Sequence, residues 1–292
     1  MENSTDITQI IIDTINSIFE TLFSSIDNNL YSVLDDITFI NSDILQDKNF
    51  ENLFGTSASN GILLIANSFL LAFILYYAAR YLMAHFTYAQ LETPFSFIIK
   101  LVLCGIAMNC SFFVIQFAID LNSNVSLAIR NLGESLFQKD ICFSELITTI
   151  NTNIAIDTNS LNIFSLDGLI KGTLSISLLN LVFSYSLRYI LIKVFVLLSP
   201  FAFLSLTLDK TNWFFRTWSR NLFSLLFIQI IVAIVLLILF SMDYSSTNLF
   251  SKFIYVGGIY ALIKTNSIVR DFIGGVSTEI SQSVKNFVGF KS

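Results

Sequence analysis

Long apolar runs alternate with short polar stretches along most of the chain. The runs at residues 62–84, 95–119, 169–208 and 222–240 are each at least as long as the about 18 residues that indicate a transmembrane helix. A further run at 249–269 is long enough only if the lysines near its ends snorkel, so a full crossing there stays open. The pattern predicts an all-α, polytopic membrane protein with about five transmembrane helices, flanked by amphipathic helices.

Composition agrees with this pattern. The 292 residues are 54% hydrophobic and 13% charged, whereas about a quarter of the residues of a soluble domain are charged. The three cysteines form no disulfide or metal-site spacing, so no metal or cofactor is expected. The acidic N-terminus does not resemble a cleavable signal peptide. No Walker-type loop, HExxH or GxSxG motif is present, so we do not expect an enzyme.

The two ends of the chain carry amphipathic patterns. Residues 1–61 begin with a helical stripe over 5–35, spaced by three and four, and continue as a polar linker. The acidic polar face of that helix argues against binding to anionic lipid. It leaves two interpretations, a helix lying on the membrane or the protein, and a docking helix for a partner subunit. Residues 270–292 predict a basic amphipathic helix on the cytoplasmic leaflet.

Basic residues near the spans predict the topology. Arg80 and Lys100 flank the short loop inside the first membrane hairpin, residues 62–119, which places that loop in the cytoplasm. The N-terminus is then outside and the C-terminus inside. Residues 120–168 become a long outer loop, partly helical by its spacing, that is either a linker or functional.

The membrane core, residues 169–269, begins with an unusually long apolar segment. As one helix, residues 169–208 would span about 60 Å, twice the about 30 Å of a hydrocarbon core. Either a long helix projects into the cytoplasm, or the segment breaks. Arg188, Lys193 and the pair Ser199-Pro200 favour a break, with residues 194–208 dipping into the membrane as a re-entrant half-helix.

Four basic residues lie within or beside the spans: Arg80, Lys100, Arg188 and Lys193. A charge at the bilayer centre costs about 2.5–3.5 kcal/mol, and the strong spans as drawn above contain no Asp or Glu to pair with them. Two interpretations remain. The side chains snorkel to the cytoplasmic interface, or they line a channel and contact phosphate or lipid. The missing carboxylates argue against a proton-coupled or cation-coupled transporter.

Residues 209–220 predict a cytoplasmic loop. Its bases are Lys210, Arg216 and Arg220, and Trp213 and Trp218 fit an aromatic belt that anchors the loop at the membrane interface. Arginines beside aromatic rings also bind single-stranded nucleic acid elsewhere. At a membrane edge the belt is the favoured interpretation.

Three features together resemble a known family. They are Arg188-Tyr189, the run LLSPFAFLSL at residues 197–206, and the Trp213…Trp218 segment that leads into the next span. With the predicted topology, residues 60–270 resemble the TrbL-like polytopic subunit of type IV secretion and conjugation machines.

This resemblance implies a membrane channel or scaffold subunit of the bacterial cytoplasmic (inner) membrane that is not itself an enzyme. Such subunits form homo-oligomers, assemble with other envelope subunits and separate ATPases, and help to pass single-stranded DNA or protein. Phosphates moving through a low-dielectric channel need basic neighbours. Two alternatives remain from other classes, a small-molecule transporter or permease subunit and a holin-like or immunity-type pore protein.

Overall fold

The computed structural model describes residues 14, 17–18, 21, 33–55, 61–87, 93–153, 166–242 and 249–274. Almost all of these residues are helical, and none of them lies in a strand. The helices are α1 (residues 33–38), α2 (Lys48–Phe54), α3 (Ile62–Thr87), α4 (Pro94–Asn109), α5 (Ser111–Phe137), α6 (Phe143–Asn153), α7 (Leu166–Leu204), α8 (Asn212–Ser241) and α9 (Leu249–Ile273). Two short 3-10 helices lie at Ser42–Leu45 and Ser205–Thr207. The predicted all-α class is confirmed.

Four helices in the described ranges are long and apolar enough to cross a membrane, namely α3, α5, α7 and α8. The apolar helix α4 is shorter, with 16 residues. α9 packs on α7 and α8 but is not among the four. The structure therefore supports a multi-pass helical membrane protein by helix length and composition, and the full crossing of residues 249–269 stays a prediction.

The second predicted span, residues 95–119, is two helices. α4 ends at Asn109 and α5 begins at Ser111, with Cys110 between them. The side-chain amide of Asn109 donates to the Gly105 carbonyl at 2.8 Å, a local bond that competes with a regular helix. α4 packs on α7, whereas α5 packs chiefly on α8.

α5 extends well beyond the predicted end of that span. It continues to Phe137, so the first part of the predicted outer loop, residues 120–168, is helix, as the apolar spacing indicated. Asp120 and Glu134 lie on this helix. The predicted span at 95–119 contains no acid, but the candidate span that the structure has at Ser111–Phe137 carries these two.

The predicted break at Ser199-Pro200 is wrong. α7 is one helix of 39 residues, about 58 Å long, that continues through Pro200 to Leu204. Proline lacks the N–H that would bond the carbonyl four residues earlier. Here that carbonyl belongs to Val196, and the Ser199 hydroxyl donates to it at 2.7 Å. The serine thus replaces the bond that the proline removes, and residues 194–208 are not a separate re-entrant helix.

The connection after α7 is shorter than the predicted loop at 209–220. The 3-10 helix is followed by a turn, and α8 begins at Asn212. The Thr211 hydroxyl bonds the carbonyls of Ser205 and Leu208, at 2.7 and 3.0 Å, and closes the turn. The aromatic and basic residues from position 212 onward therefore occupy the first turns of a helix.

The predicted linker before the first span is also wrong. Residues 33–55 fold into α1, a 3-10 helix and α2, and four apolar side chains of this segment are at most 1% exposed: Leu34, Ile40, Leu45 and Phe54. Asn41 and Asp47 cap the two short helices at their N-termini, and Gly55 ends α2 in the left-handed conformation. Most of the predicted amphipathic helix at 5–35, and the tail after Gly274, lie outside the described residues.

An acidic residue joins the N-terminal segment to α6. The Asp35 carboxylate accepts the backbone N–H groups of Phe143 and Ser144, at 2.8 and 3.1 Å, and the Ser144 hydroxyl at 2.7 Å. These N–H groups belong to the first turn of α6, which has no carbonyls of its own to offer them. A carboxylate there is also favoured by the helix dipole.

We predict that Ser199 and Pro200 are energetically coupled. Ser199→Ala leaves the buried Val196 carbonyl unpaired and should lower the free energy of unfolding by about 1–2 kcal/mol. In a Pro200→Ala background the restored N–H reaches that carbonyl, so the same serine substitution should have almost no effect. Denaturant unfolding of the four variants in detergent measures the coupling.

Ser135→Ala is the matched control. Its hydroxyl makes the same kind of bond, to the Leu132 carbonyl at 2.8 Å, but it is exposed and no proline follows. We expect its effect to be below about 0.5 kcal/mol. An equal loss from Ser199→Ala with and without Pro200 would show that the hydroxyl does not compensate for the proline.

Candidate functional site

Arg188 lies at the centre of the helix bundle and is fully buried, with 0% of its surface exposed. Its guanidinium donates from Nε to the Leu225 carbonyl of α8 at 2.8 Å and from Nη1 to the Thr38 carbonyl at 2.9 Å. Its Nη2 lies 3.4 Å from the side-chain oxygen of Gln229. Burying a charge is costly unless it is hydrogen-bonded, and each of the three guanidinium nitrogens has an acceptor here.

Gln229 extends this arrangement to two more elements. Its side-chain oxygen also accepts the backbone N–H of Ile40 at 3.2 Å and the Asn122 side-chain amide at 3.4 Å. One buried polar cluster, Arg188, Gln229 and Asn122, therefore connects α7, α8, α5 and the N-terminal segment. We call these three residues the arginine cluster.

The placement of Arg188 contradicts both sequence-based interpretations. The side chain neither snorkels to an interface nor lines a surface where phosphate or lipid could reach it. Among the residues that the structure describes, its hydrogen-bond acceptors are two backbone carbonyls and an amide, all uncharged. None of these acceptors is a carboxylate, the partner type that the sequence analysis considered. Gln229, a polar residue in the most apolar span, was the available signal.

Lys193 occupies a different environment on the same helix. It is partly buried, and its ammonium lies 5.2 Å from the ring centroid of Tyr189 and 5.4 Å from that of Phe50. Such cation–π contacts contribute about 0.5–1 kcal/mol at exposed sites. Since Phe50 belongs to α2, Lys193 forms a second contact between α7 and the N-terminal segment.

The other two candidate bases are not gathered around Arg188. Lys100 on α4 forms an ion pair with Asp209 at 3.5 Å, and the two side chains are 38% and 76% exposed. An exposed pair of this kind contributes about 1 kcal/mol or less. Arg80 is exposed on α3. The four bases that the sequence singled out therefore do not form a single lining within one chain.

The two tryptophans at the start of α8 have opposite environments. Trp213 is 64% exposed, as an interface anchor requires. Trp218 is 5% exposed, and its indole N–H donates to the Phe195 carbonyl at 2.8 Å. Its ring lies 5.8 Å from that of Phe203. The prediction that Trp218 anchors the chain at the interface is wrong, because this side chain fastens α8 to α7. Lys210, Arg216 and Arg220 are exposed.

An apolar pocket of about 250 Å³ lies where α3 meets the turn between α7 and α8. Its wall is formed by Phe69, Phe73, Phe201, Leu204, Ser205, Thr211, Trp213 and Phe214. No pattern in the sequence indicated it, because the wall combines residues of α3 with others more than 120 positions later. The pocket can hold an apolar group but offers no charged side chain in its wall.

Comparison of the chain with models of protein families, with curated proteins and with solved structures finds no match in any of the three.

We predict that Arg188→Gln destabilises the protein by on the order of 3 kcal/mol, because the shorter, neutral side chain leaves buried acceptors unpaired. Arg188→Lys should recover only part of this loss, since an ammonium cannot reproduce the fork of guanidinium donors. Denaturant unfolding in detergent measures both variants.

Lys193→Gln serves as the control on the same helix, with an expected loss of about 1 kcal/mol or less. Limited proteolysis adds a local readout, since Arg188→Gln should expose residues 33–54 to cleavage before the rest of the chain. If Arg188→Gln and Lys193→Gln were equally stable, the arginine cluster would not hold the bundle together.

Proposed function

We propose that the chain is a membrane channel or scaffold subunit of a type IV secretion apparatus, similar to TrbL, that takes part in conjugative DNA or protein transfer and is not itself an enzyme. The observation that carries the proposal is the packing of the residues that resemble this family. Within the run at 197–206, Phe203 lies 5.3 Å from Phe215 and 5.8 Å from Trp218, ring to ring. Two of the three resembling features, the run at 197–206 and the Trp213…Trp218 segment, thus pack together at the α7–α8 turn.

The proposal includes a topology with the N-terminus outside and the C-terminus inside. Its five crossings are α3, α4 with the first turns of α5, α7, α8 and α9. The exposed bases Lys210, Arg216 and Arg220 around the α7–α8 turn support a cytoplasmic position for that turn. We propose the bacterial cytoplasmic membrane as the location.

Single-cysteine labelling tests this topology. In a variant without the three native cysteines, Asn49→Cys should react with a membrane-impermeant maleimide in intact spheroplasts. Lys210→Cys should react only after permeabilisation. Both positions are exposed in the structure, so a failure to react reports the side of the membrane and not burial of the thiol inside the protein. The reversed pattern would overturn the proposed orientation.

Basic residues at the protein surface are the candidates for contact with a transferred strand. The buried Arg188 does not belong to this set. Arg80 and Lys210 are exposed and Lys193 is partly buried, so these three side chains remain candidates. In a homo-oligomer, copies of one exposed base surround the same axis, which raises the local positive potential without any cluster inside one chain. Such a ring of positive charge would attract the phosphate backbone of a transferred strand.

The direct test is purification from gently solubilised membranes followed by mass spectrometry of the bound proteins. We expect conjugation-type ATPases and other envelope subunits to co-purify with a homo-oligomer of this chain. A homo-oligomer or monomer without such partners would contradict the proposal and favour a self-contained transporter or a holin-like pore.

A transfer assay separates assembly from phosphate contact. The double variant Arg80→Gln/Lys193→Gln should assemble normally but reduce DNA transfer about tenfold or more, because it removes charges that salt-dependent phosphate binding uses. Lys100→Gln is the control, because its charge is already paired with Asp209. Unchanged transfer in the double variant would rule out these two bases as the phosphate contacts.

A further inference from the structure

The apolar pocket beside the α7–α8 turn has a wall chemistry that restricts its ligand. Only two of its lining residues carry a hydroxyl group, Ser205 and Thr211. The Ser205 hydroxyl donates to the Ala202 carbonyl at 2.7 Å, and the Thr211 hydroxyl donates to the Ser205 carbonyl at 2.7 Å. Neither hydroxyl hydrogen is left for a ligand. Apart from the indole N–H of the exposed Trp213, the wall offers no side-chain donor to replace the hydration of a polar molecule, so it favours an apolar chain.

Two basic residues lie close in sequence to residues of the pocket wall. Trp213, which lines the pocket, is 64% exposed, and Arg216 follows it on α8 at a step of three. Residues at this spacing share one helix face. Lys210 directly precedes the lining residue Thr211. Lys210 and Arg216 are both exposed, and the neighbouring acid, Asp209, is paired with Lys100.

We propose that this pocket binds one acyl chain of an anionic phospholipid, whose headgroup phosphate contacts Lys210 and Arg216. The apolar cavity, which opens at the exposed Trp213, matches the acyl chain of such a lipid. The positive charges of Lys210 and Arg216 match its negatively charged phosphate. Basic sites between transmembrane helices are known to take anionic headgroups. Lipid bound here would brace α3 against α7 and α8. The proposal does not depend on the proposed function in secretion.

The two tryptophans of the chain allow a direct optical test. Trp218→Phe leaves Trp213 as the reporter at the pocket, and Trp213→Phe leaves the buried Trp218. The full chain is reconstituted in phosphatidylcholine nanodiscs that contain increasing fractions of lipid brominated on the acyl chain. We expect brominated phosphatidylglycerol to quench Trp213 at roughly fivefold lower fraction than brominated phosphatidylcholine, a preference equivalent to about 1 kcal/mol. Trp218 should show no such preference.

Charge substitutions distinguish a built site from bulk lipid. Lys210→Gln/Arg216→Gln, made in the Trp218→Phe background, should abolish the preference for phosphatidylglycerol. Lys139→Gln, which removes an exposed base after α5, should leave it intact, because the end of α5 packs near Leu237 at the far end of α8 from the pocket. Equal quenching by the two lipids, or an equal loss in both charge variants, would overturn the proposal and indicate only the surrounding lipid.

Trp218 has a structural role, so its replacement by phenylalanine can unfold the protein. Native mass spectrometry of the wild-type chain with the two lipids therefore gives a second, independent measurement. We expect one phosphatidylglycerol to remain bound at collision energies that remove phosphatidylcholine, and the Lys210→Gln/Arg216→Gln variant to lose it. Identical retention of the two lipids by the wild-type chain would contradict the site.

Discussion

One buried charge imposes a constraint on the whole bundle. The guanidinium of Arg188 is removed from water, and an unpaired charge there would cost several kcal/mol. Its acceptors come from positions 37, 41 and 150 residues away in the chain, at Leu225, Gln229 and Thr38. The charge is satisfied only when all of these segments meet. The arginine cluster therefore favours the arrangement in which α5, α7, α8 and the N-terminal segment meet.

The N-terminal segment is the part that depends most on this constraint. Residues 33–54 precede the first candidate span, yet they supply a carbonyl to Arg188 and an N–H to Gln229. Further contacts hold the same segment. Asp35 caps α6, and the Arg130 guanidinium of α5 lies 4.3 Å from the ring centroid of Phe39. The segment is thus a packed part of the bundle that contacts α5, α6, α7 and α8, and it is not a linker between independent parts.

Hydropathy predicts the class of the protein and the approximate places of its apolar helices, because apolar length is a local property of the chain. It does not predict which side of a helix faces a neighbour, and so Trp218 was assigned to the interface although it faces α7. Leu34, Ile40 and Phe54 are separated by acidic and other polar residues, so the sequence of this folded segment resembles that of a linker. Each of these side chains becomes buried through residues far away in the chain, and no local pattern contains that information.

The continuity of α7 is a different case, because the signal was local. A serine before a proline can supply the hydrogen bond that the proline lacks, and the Ser199 hydroxyl does so at the Val196 carbonyl. The pocket at the α7–α8 turn had no such signal, since α3 contributes to its wall across a long separation in sequence. The sequence therefore indicates which basic and aromatic residues are candidates for the site, but it does not indicate which distant residues they contact.

Residues 33–54 are docked among the apolar helices of the bundle. Hydrogen–deuterium exchange of the wild-type chain in nanodiscs tests this docking directly, because the backbone N–H groups of Ile40 and Ser42 are bonded to Gln229 and Asp120. The account predicts that peptides covering 38–46 stay protected for at least as long as those at the ends of α8. Complete exchange of these peptides at the first time point, as in a solvated linker, would contradict it.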